Sequence, residues 1–352
     1  MYDPFSIDYT VTLLQAVEKI EQPQNFLSEM FFPKKISVET DIVALEWRKQ
    51  GRNIAPYVIS GSHGPNIARD ASKVRWFKAP TFAARRIISL DDLKLRQFGE
   101  TPNIYNPVRP EERLAKLQAQ DLAELTRLIE NRRGVMSSEI LQTGVLNLKS
   151  YADDGRVVAE DKIDFEVSAN IVTPSVHWDN SSAKIYKDLY AASETIQENS
   201  GEVPTVAVCG KNVESYLLNN EEIKSWLLIP SNQNLTIANL QPHFTSPQAR
   251  YIGRITALNL DLYSFSQTFI DDEGNKKYFV EPNNVIIGTG GGSTVYAPIT
   301  LFYNGVPHTV SAEIVPQHLF NDAARTRSLT LYSSFIQIPN TFSSFITIKT
   351  CG

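Results

Sequence analysis

The sequence predicts a mixed α+β fold with one inserted α/β lobe and two extended arms. Three observations carry that expectation. Residues 182–230 read as helix, strand, helix, a compact α/β unit. Hairpin-like stretches stand on either side of it, at 145–167, 252–280 and 329–348. Two segments near the N-terminus, one very apolar and one basic and rich in Gly and Pro, have no obvious place in a core of their own.

Composition sets the frame. At 352 residues, with 42% hydrophobic and 21% charged residues, 17 Gly and 19 Pro, the chain is long enough for one large domain or two to three ordinary ones. These values exclude the disordered, collagenous and disulfide-scaffold classes. No apolar run reaches the roughly 18–20 residues that span a bilayer, and the start, MYDPFSIDYTVTLLQ, lacks a basic n-region. A chain that neither spans a membrane nor is secreted is therefore expected. Cys209 and Cys351 lie far apart without a CxxC pattern, which suggests two reduced thiols.

From the N-terminus, Leu13, Leu14, Val17 and Ile20 fit one helical face that Pro23 stops. The following Phe26-Leu27-Ser28-Glu29-Met30-Phe31-Phe32-Pro33 needs something to bury against. Residues 36–47 alternate as a strand whose phase slips, which predicts a bulge or bend. A hairpin-like excursion then runs through 51–80. Pro102, Pro107 and Pro110 stiffen the connection to a long amphipathic helix over about 110–142, with Glu111 and Glu112 at its positive end and Arg132-Arg133 near its end, before Gly134. Its apolar arc holds Leu114, Leu117, Leu122, Leu125, Leu128 and Ile129, with Gln118 and Asp121 intruding. A hairpin turns through Asp153-Asp154-Gly155. Further on come a helix at 183–198, a strand at 203–208, a helix at 212–228, and a turn at 271–275.

Chemistry is sparse. The five histidines show neither HxxxH nor HExxH spacing, so a metal site would have to be assembled from distant loops. Ser60-Gly61-Ser62-His63-Gly64 misses the nucleophile-elbow pattern because Ser60 stands where its first glycine belongs. The strand at 285–287 runs into Gly288-Thr289-Gly290-Gly291-Gly292, but no lysine precedes Ser293 and no helix opens after it, so a mobile surface loop is expected over a phosphate cradle. Charge is uneven: Trp47 to Leu90 holds nine basic residues and one acid. Such a block suits nucleic acid or an acidic protein surface, including another copy of the chain.

Taken in order, these elements resemble the major capsid proteins of tailed phages, specifically the phage lambda major capsid protein family. The residues that carry the resemblance are Leu13-Leu14 to Phe31-Phe32; Ala55-Pro56-Tyr57-Val58 with Gly61 and Gly64; Phe77-Lys78-Ala79-Pro80 followed by Asp91-Asp92-Leu93; Glu112-Arg113-Leu114 to Met136; Leu141-Gln142-Thr143-Gly144; Ile163-Asp164-Phe165; and Phe279-Val280-Glu281-Pro282-Asn283-Asn284-Val285. Gly134, where the family tends to carry an acid, and Ala297, where it tends to carry glycine, depart from the pattern.

The resemblance implies a Hong Kong 97-like capsid fold: an N-terminal arm at 1–35, an extended loop at 36–98, a peripheral domain at 99–181 with a spine helix at about 110–142 and a hairpin at 145–167, an axial domain at 182–300, and a return to the peripheral domain at 301–352. It implies a structural shell protein of the virion capsid, not an enzyme, with no cofactor. Its partners would be copies of itself in hexamers and pentamers, scaffold, portal and decoration proteins, and double-stranded DNA held weakly. Candidate contacts between copies are the apolar Phe26, Leu27, Met30, Phe31 and Phe32; the basic Arg48, Lys49, Arg52, Lys73, Arg75, Arg85 and Arg86; and Glu111, Glu112 and Glu124 as acceptors. The alternative is a nucleic-acid-binding protein in which the 47–90 block contacts phosphates while Trp47, Tyr57, Trp76 and Phe77 stack on bases. A third is an α/β enzyme using the glycines at 288–292.

Overall fold

The computed structural model of the chain describes residues 25–48, 72–94, 110–152, 156–180, 182–220, 222–223, 227–228, 246–303, 306–321 and 326–351. The helices are α1 (Phe26–Phe31), α2 (Leu90–Lys94), α3 (Pro110–Thr143), α4 (Ile185–Ser200) and α5 (Val213–Asn219). The strands are β1 (Lys34–Ser37), β2 (Ile42–Arg48), β3 (Ser72–Lys78), β4 (Thr81–Ser89), β5 (Val145–Tyr151), β6 (Val157–Asp164), β7 (Ile171–Val172), β8 (Val206–Cys209), β9 (Leu227–Leu228), β10 (Arg250–Ile255), β11 (Leu260–Ser264), β12 (Thr268–Ile270), β13 (Lys276–Tyr278), β14 (Asn284–Gly288), β15 (Ser293–Tyr296), β16 (Ile299–Tyr303), β17 (Val306–Val310), β18 (Val315–Asn321), β19 (Thr326–Ile338) and β20 (Phe345–Lys349).

A long helix crosses between two sheets. The first sheet is built on β19, which pairs with β4 along 326–334, with β18 along 326–332 and with β15 along 335–338, while β1 adds in parallel to β15. The second is seven-stranded in the order β7-β20-β14-β8-β11-β10-β9. Its central strands β8, β11 and β14 are buried on both faces, which is why Val206–Cys209 and Val285–Ile287 read as unbroken apolar runs. Helices α4 and α5 cover one side of it through Ile185, Leu189, Ile196, Val213 and Leu217.

Helix α3 runs unbroken through Gly134. Leu122, Leu125, Ile129, Met136, Ile140 and Leu141 are buried along it, whereas Leu128 of the expected apolar arc is 52% exposed. Asp121, which intrudes on that arc, is buried because Arg86 Nη1 on β4 donates to it at 2.8 Å. The phase slip at 36–47 is a break: β1 and β2 are separate strands joined by a turn at 39–41. The helix expected over 212–228 is interrupted: α5 ends at Asn219, residues 222–223 are again helical, and a strand stands at 227–228.

The tail contributes to both sheets. Strand β19 joins the first sheet, while β20 pairs with β14 and β7 in the second. Alternation alone does not reveal which sheet these strands join, because β19 and β20 are each buried along nearly their whole length. The helix expected around Leu13 to Ile20 lies outside the described residues.

Candidate assembly interface

The apolar segment after Pro23 folds onto its own chain. Phe26 and Leu27 are 0% exposed and Met30, Phe31 and Phe32 at most 9%, all within the core that also holds Leu125, Met136, Tyr263, Phe265 and Phe345. Phe26 packs on Tyr263 and Phe265 with ring centroids 5.5 and 5.2 Å apart. The expectation that these five residues bury area between subunits is thus corrected, since they have almost none left to give a neighbour. Glycines admit them. A Cβ on Gly290 would lie 2.7 Å from the Met30 carbonyl oxygen, and one on Gly292 2.7 Å from that of Phe31, to which the Gly292 N–H donates at 2.9 Å. The glycine run therefore serves packing instead of a phosphate cradle: the end of α1 takes its space and the Gly292 amide, and the Ser344 carbonyl takes the Thr289 amide.

Arg86 and Glu124, two of the candidate contacts, remain roughly half exposed, at 44% and 50% of their side chains. They pair within one chain, Arg86 Nη1 lying 2.8 Å from the Glu124 carboxylate and 2.8 Å from that of Asp121. Their shared task is to fasten β4 to the long helix. Arg85, one residue away on the opposite face of β4, is exposed.

Two-stranded ribbons add further exposed surface. Ribbon β2–β3 runs antiparallel from Ile42↔Lys78 to Arg48↔Ser72 and pairs with no third strand among the described residues. Its base is seated by Val43 and Ala79 in the core and by Phe77 against Phe165, with centroids 5.4 Å apart. Trp76, by contrast, is 68% exposed. Arg48, Lys73 and Arg75 belong to this ribbon. Lys49 and Arg52 lie outside the described residues, and for Glu111 and Glu112 the structure gives only their place in the first turn of α3.

The hairpin β5–β6 is the acidic counterpart. Val157 to Asp164 is almost wholly exposed, and Glu160, Asp161 and Asp164 outnumber Lys162 on it. Lys149 Nζ lies 3.0 Å from Glu273, and Arg132 pairs with Asp272, so both the hairpin and α3 are tied to the turn at 271–275. That turn is itself fixed: Lys277 and the backbone amides of Asn275 and Glu273 hold the Asp271 carboxyl down at about 2. Phe302 and Val306 on β16–β17 and Leu319 and Phe320 on β18 are each at least 44% exposed. Sequence reading passed over these residues. Consecutive apolar pairs such as Val157-Val158, in a ribbon too small to bury both faces, were the available signal.

Reactive chemistry is muted among the described residues. Burial pushes the Cys209 thiol well above its ordinary range, and burial with Arg327 nearby pushes His318 down to about 4. Neither group is poised for acid–base or nucleophilic work near neutral pH.

Comparison with known proteins gives this arrangement its context. The family model described as "Phage major capsid protein E" matches residues 9–350. Among solved structures the chain is similar to a putative capsid protein of a prophage of E. coli CFT073, at a TM-score of 0.69 and 16% identity, covering 97% of this chain and 98% of that one. It is also similar to a phage-related protein from Bordetella bronchiseptica RB50, at a TM-score of 0.53 and 12% identity over 97% and 96% of the two chains. The capsid of Ralstonia phage GP4 matches with a TM-score of 0.52 and 13% identity over 94% and 91%. No curated protein matches. The mixed α+β architecture with its long helix is that of the Hong Kong 97-like capsid fold, and the chain belongs to the phage major capsid protein E family, the structural proteins that copy by copy form the capsid shell of tailed phages.

Proposed function

We propose that this chain forms the hexamers and pentamers of a closed icosahedral or prolate shell around double-stranded DNA, using the basic ribbon β2–β3 as its main reach toward a neighbouring copy. The observation that carries this reading is the ribbon itself. Two strands alone are marginally stable in water, and this pair leaves Trp76 68% exposed, with no third strand beside it among the described residues. A neighbour that covered Trp76 and supplied carboxylates would stabilise it. Arg48, Lys49, Arg52, Lys73, Arg75 and Arg85 are the proposed basic contacts, and Glu111 and Glu112 proposed acceptors; Glu160, Asp161 and Asp164 of the exposed hairpin join them.

Such exposed pairs contribute about 0–1 kcal/mol each, so their role is register and encounter rate more than cohesion. Apolar contacts, among them Trp76, Phe302 and Phe320, supply cohesion at about 25 cal/mol per Å². The division into arm (1–35), extended loop (36–98), peripheral (99–181 and 301–352) and axial (182–300) parts belongs to the same proposal, with β20 assigned to the axial sheet it pairs with. Scaffold, portal and decoration proteins are proposed further partners. A net charge of −5 suits a container that holds DNA weakly, because a tightly binding inner surface would hinder its entry and exit. The test is charge reversal of Arg48, Lys73 and Arg75 to Glu, followed by sedimentation across a salt series. Loss of assembly, or a changed salt dependence of assembly, supports the pairing; assembly identical to that of the unaltered chain at every salt concentration overturns it.

A further inference from the structure

We propose that His177, Asp179 and Cys351 form a binding site for a zinc-class divalent cation. Their ligand atoms, one imidazole nitrogen, one carboxylate oxygen and the thiol sulfur, all lie within 4.8 Å of one another. In a tetrahedral zinc site neighbouring nitrogen, oxygen and sulfur ligands sit about 3.3–3.8 Å apart, so the three side chains close on an ion with small rotamer adjustments. The donor set is specific in kind. A thiolate beside an imidazole and a carboxylate matches zinc or cobalt and is a poor match for magnesium or calcium, which take oxygen ligands.

The backbone beneath these side chains is held from several directions. His177 and Asp179 flank Trp178, which is 3% exposed; its amide donates to the Thr350 carbonyl at 3.0 Å and its indole Nε1 to Asp188 at 2.8 Å. Thr350, the neighbour of Cys351, is fixed in turn by its amide and hydroxyl, which donate to the Asn283 carbonyl at 2.8 and 2.7 Å. The two segments that supply the ligands are therefore hydrogen-bonded to each other one residue from each donor. The Cys351 thiol donates to the Tyr216 hydroxyl at 3.8 Å, and once a metal displaces the thiol proton that hydroxyl is placed to donate to the thiolate. His177 and Asp179 are exposed and Cys351 is half-buried, so a solvated ion has access and water can fill the fourth position.

Bound metal would cross-link the end of the last strand to the turn that leads into α4. The test uses the full-length protein and cobalt(II) alone as probe, followed by zinc(II) in competition. One equivalent of cobalt per chain is expected to give a thiolate-to-metal charge-transfer band that zinc erases, and zinc is expected to raise the unfolding temperature. Cys351→Ser should abolish the band, His177→Ala and Asp179→Asn should each weaken cobalt binding by about tenfold or more, and Cys209→Ser should leave it intact. Absence of the band in the unaltered chain, its survival in Cys351→Ser, or unchanged affinity in both His177→Ala and Asp179→Asn would overturn the site. Circular dichroism of each variant separates loss of metal from loss of fold.

Discussion

Asn25 occupies the space that any side chain at position 134 would need. A Cβ on Gly134 would stand 2.1 Å from the Asn25 amide nitrogen, which donates to the Glu130 carbonyl at 2.9 Å. Ser28, one turn further on, shares a 2.7 Å hydrogen bond with Ser137, and Ser137 donates to Gln337 at 2.8 Å. Helix α1 is thereby joined to the long helix and to β19 by a buried polar seam. The only gap in α3 that accepts this seam is a residue without a side chain.

Gly134→Ala is accordingly expected to destabilise the fold by about 1–3 kcal/mol, because overpacking outweighs the roughly 1 kcal/mol that alanine adds to a helix. Chemical denaturation of Gly134→Ala, Asn25→Gly and the double variant makes the check. The double variant should recover most of the loss; simple addition of the two single effects would mean that the residues do not compete for space.

Gly290 tests the packing role of the glycine run. Its φ is +75° and an added Cβ would meet the Met30 carbonyl at 2.7 Å, so Gly290→Ala should cost about 2–4 kcal/mol from backbone strain and overlap together. Thermal unfolding with and without magnesium–ATP separates this from a nucleotide site: the variant unfolds at lower temperature and nucleotide shifts neither protein. A nucleotide-dependent rise in the unaltered chain that the variant loses would restore the phosphate reading.

Arg86 faces two carboxylates of unequal burial, Asp121 with 5% of its side chain exposed and Glu124 with 50%. Arg86→Ala should therefore cost about 2–4 kcal/mol by leaving the buried Asp121 without this cation, whereas Glu124→Ala should cost about 0–1 kcal/mol. Equal losses in the two variants, measured by denaturant unfolding, would contradict the assignment of Asp121 as the buried partner.

Stability should fall in acid partly through His318. Burial, with Arg327 adding to it, lowers its value in the folded chain to about 4 from an ordinary 6.5. Protons then bind the unfolded chain more readily between those two values, so the contribution is complete above about pH 6.5 and is lost as pH falls toward 4. The loss amounts to about 2–3 kcal/mol at the lower end. His318→Gln should flatten the pH dependence of unfolding in that window and leave the slope above pH 7 unchanged; an unaltered slope between 4 and 6.5 would show that the histidine is solvated.

Much of the architecture was legible because local signals agreed with the tertiary result. The long helix followed from Pro110 and its apolar arc, and the hairpin at 145–164 from alternation around an Asp-Asp-Gly turn. What could not be read was partnership. Phe26 to Phe32 announced burial but not by whom, and the glycines at 288, 290 and 292, against which Met30, Phe31 and Phe32 pack, accommodate them within the same chain. That Arg86 pairs with Asp121 and Glu124 of its own chain follows only once β4 lies beside α3. His177, Asp179 and Cys351 are too far apart in sequence to form a motif, and backbone bonds between Trp178 and Thr350 bring them together.

The central claim is that this chain builds a shell, and the most direct measurement is particle mass by light scattering with electron microscopy of the same fraction, for the chain expressed alone and with the genes that flank it. Megadalton closed shells, or rings of six and five subunits, are the result expected. A well-behaved monomer or dimer under both conditions would contradict it, and would mean that Trp76 and the basic ribbon meet something other than a copy of their own chain.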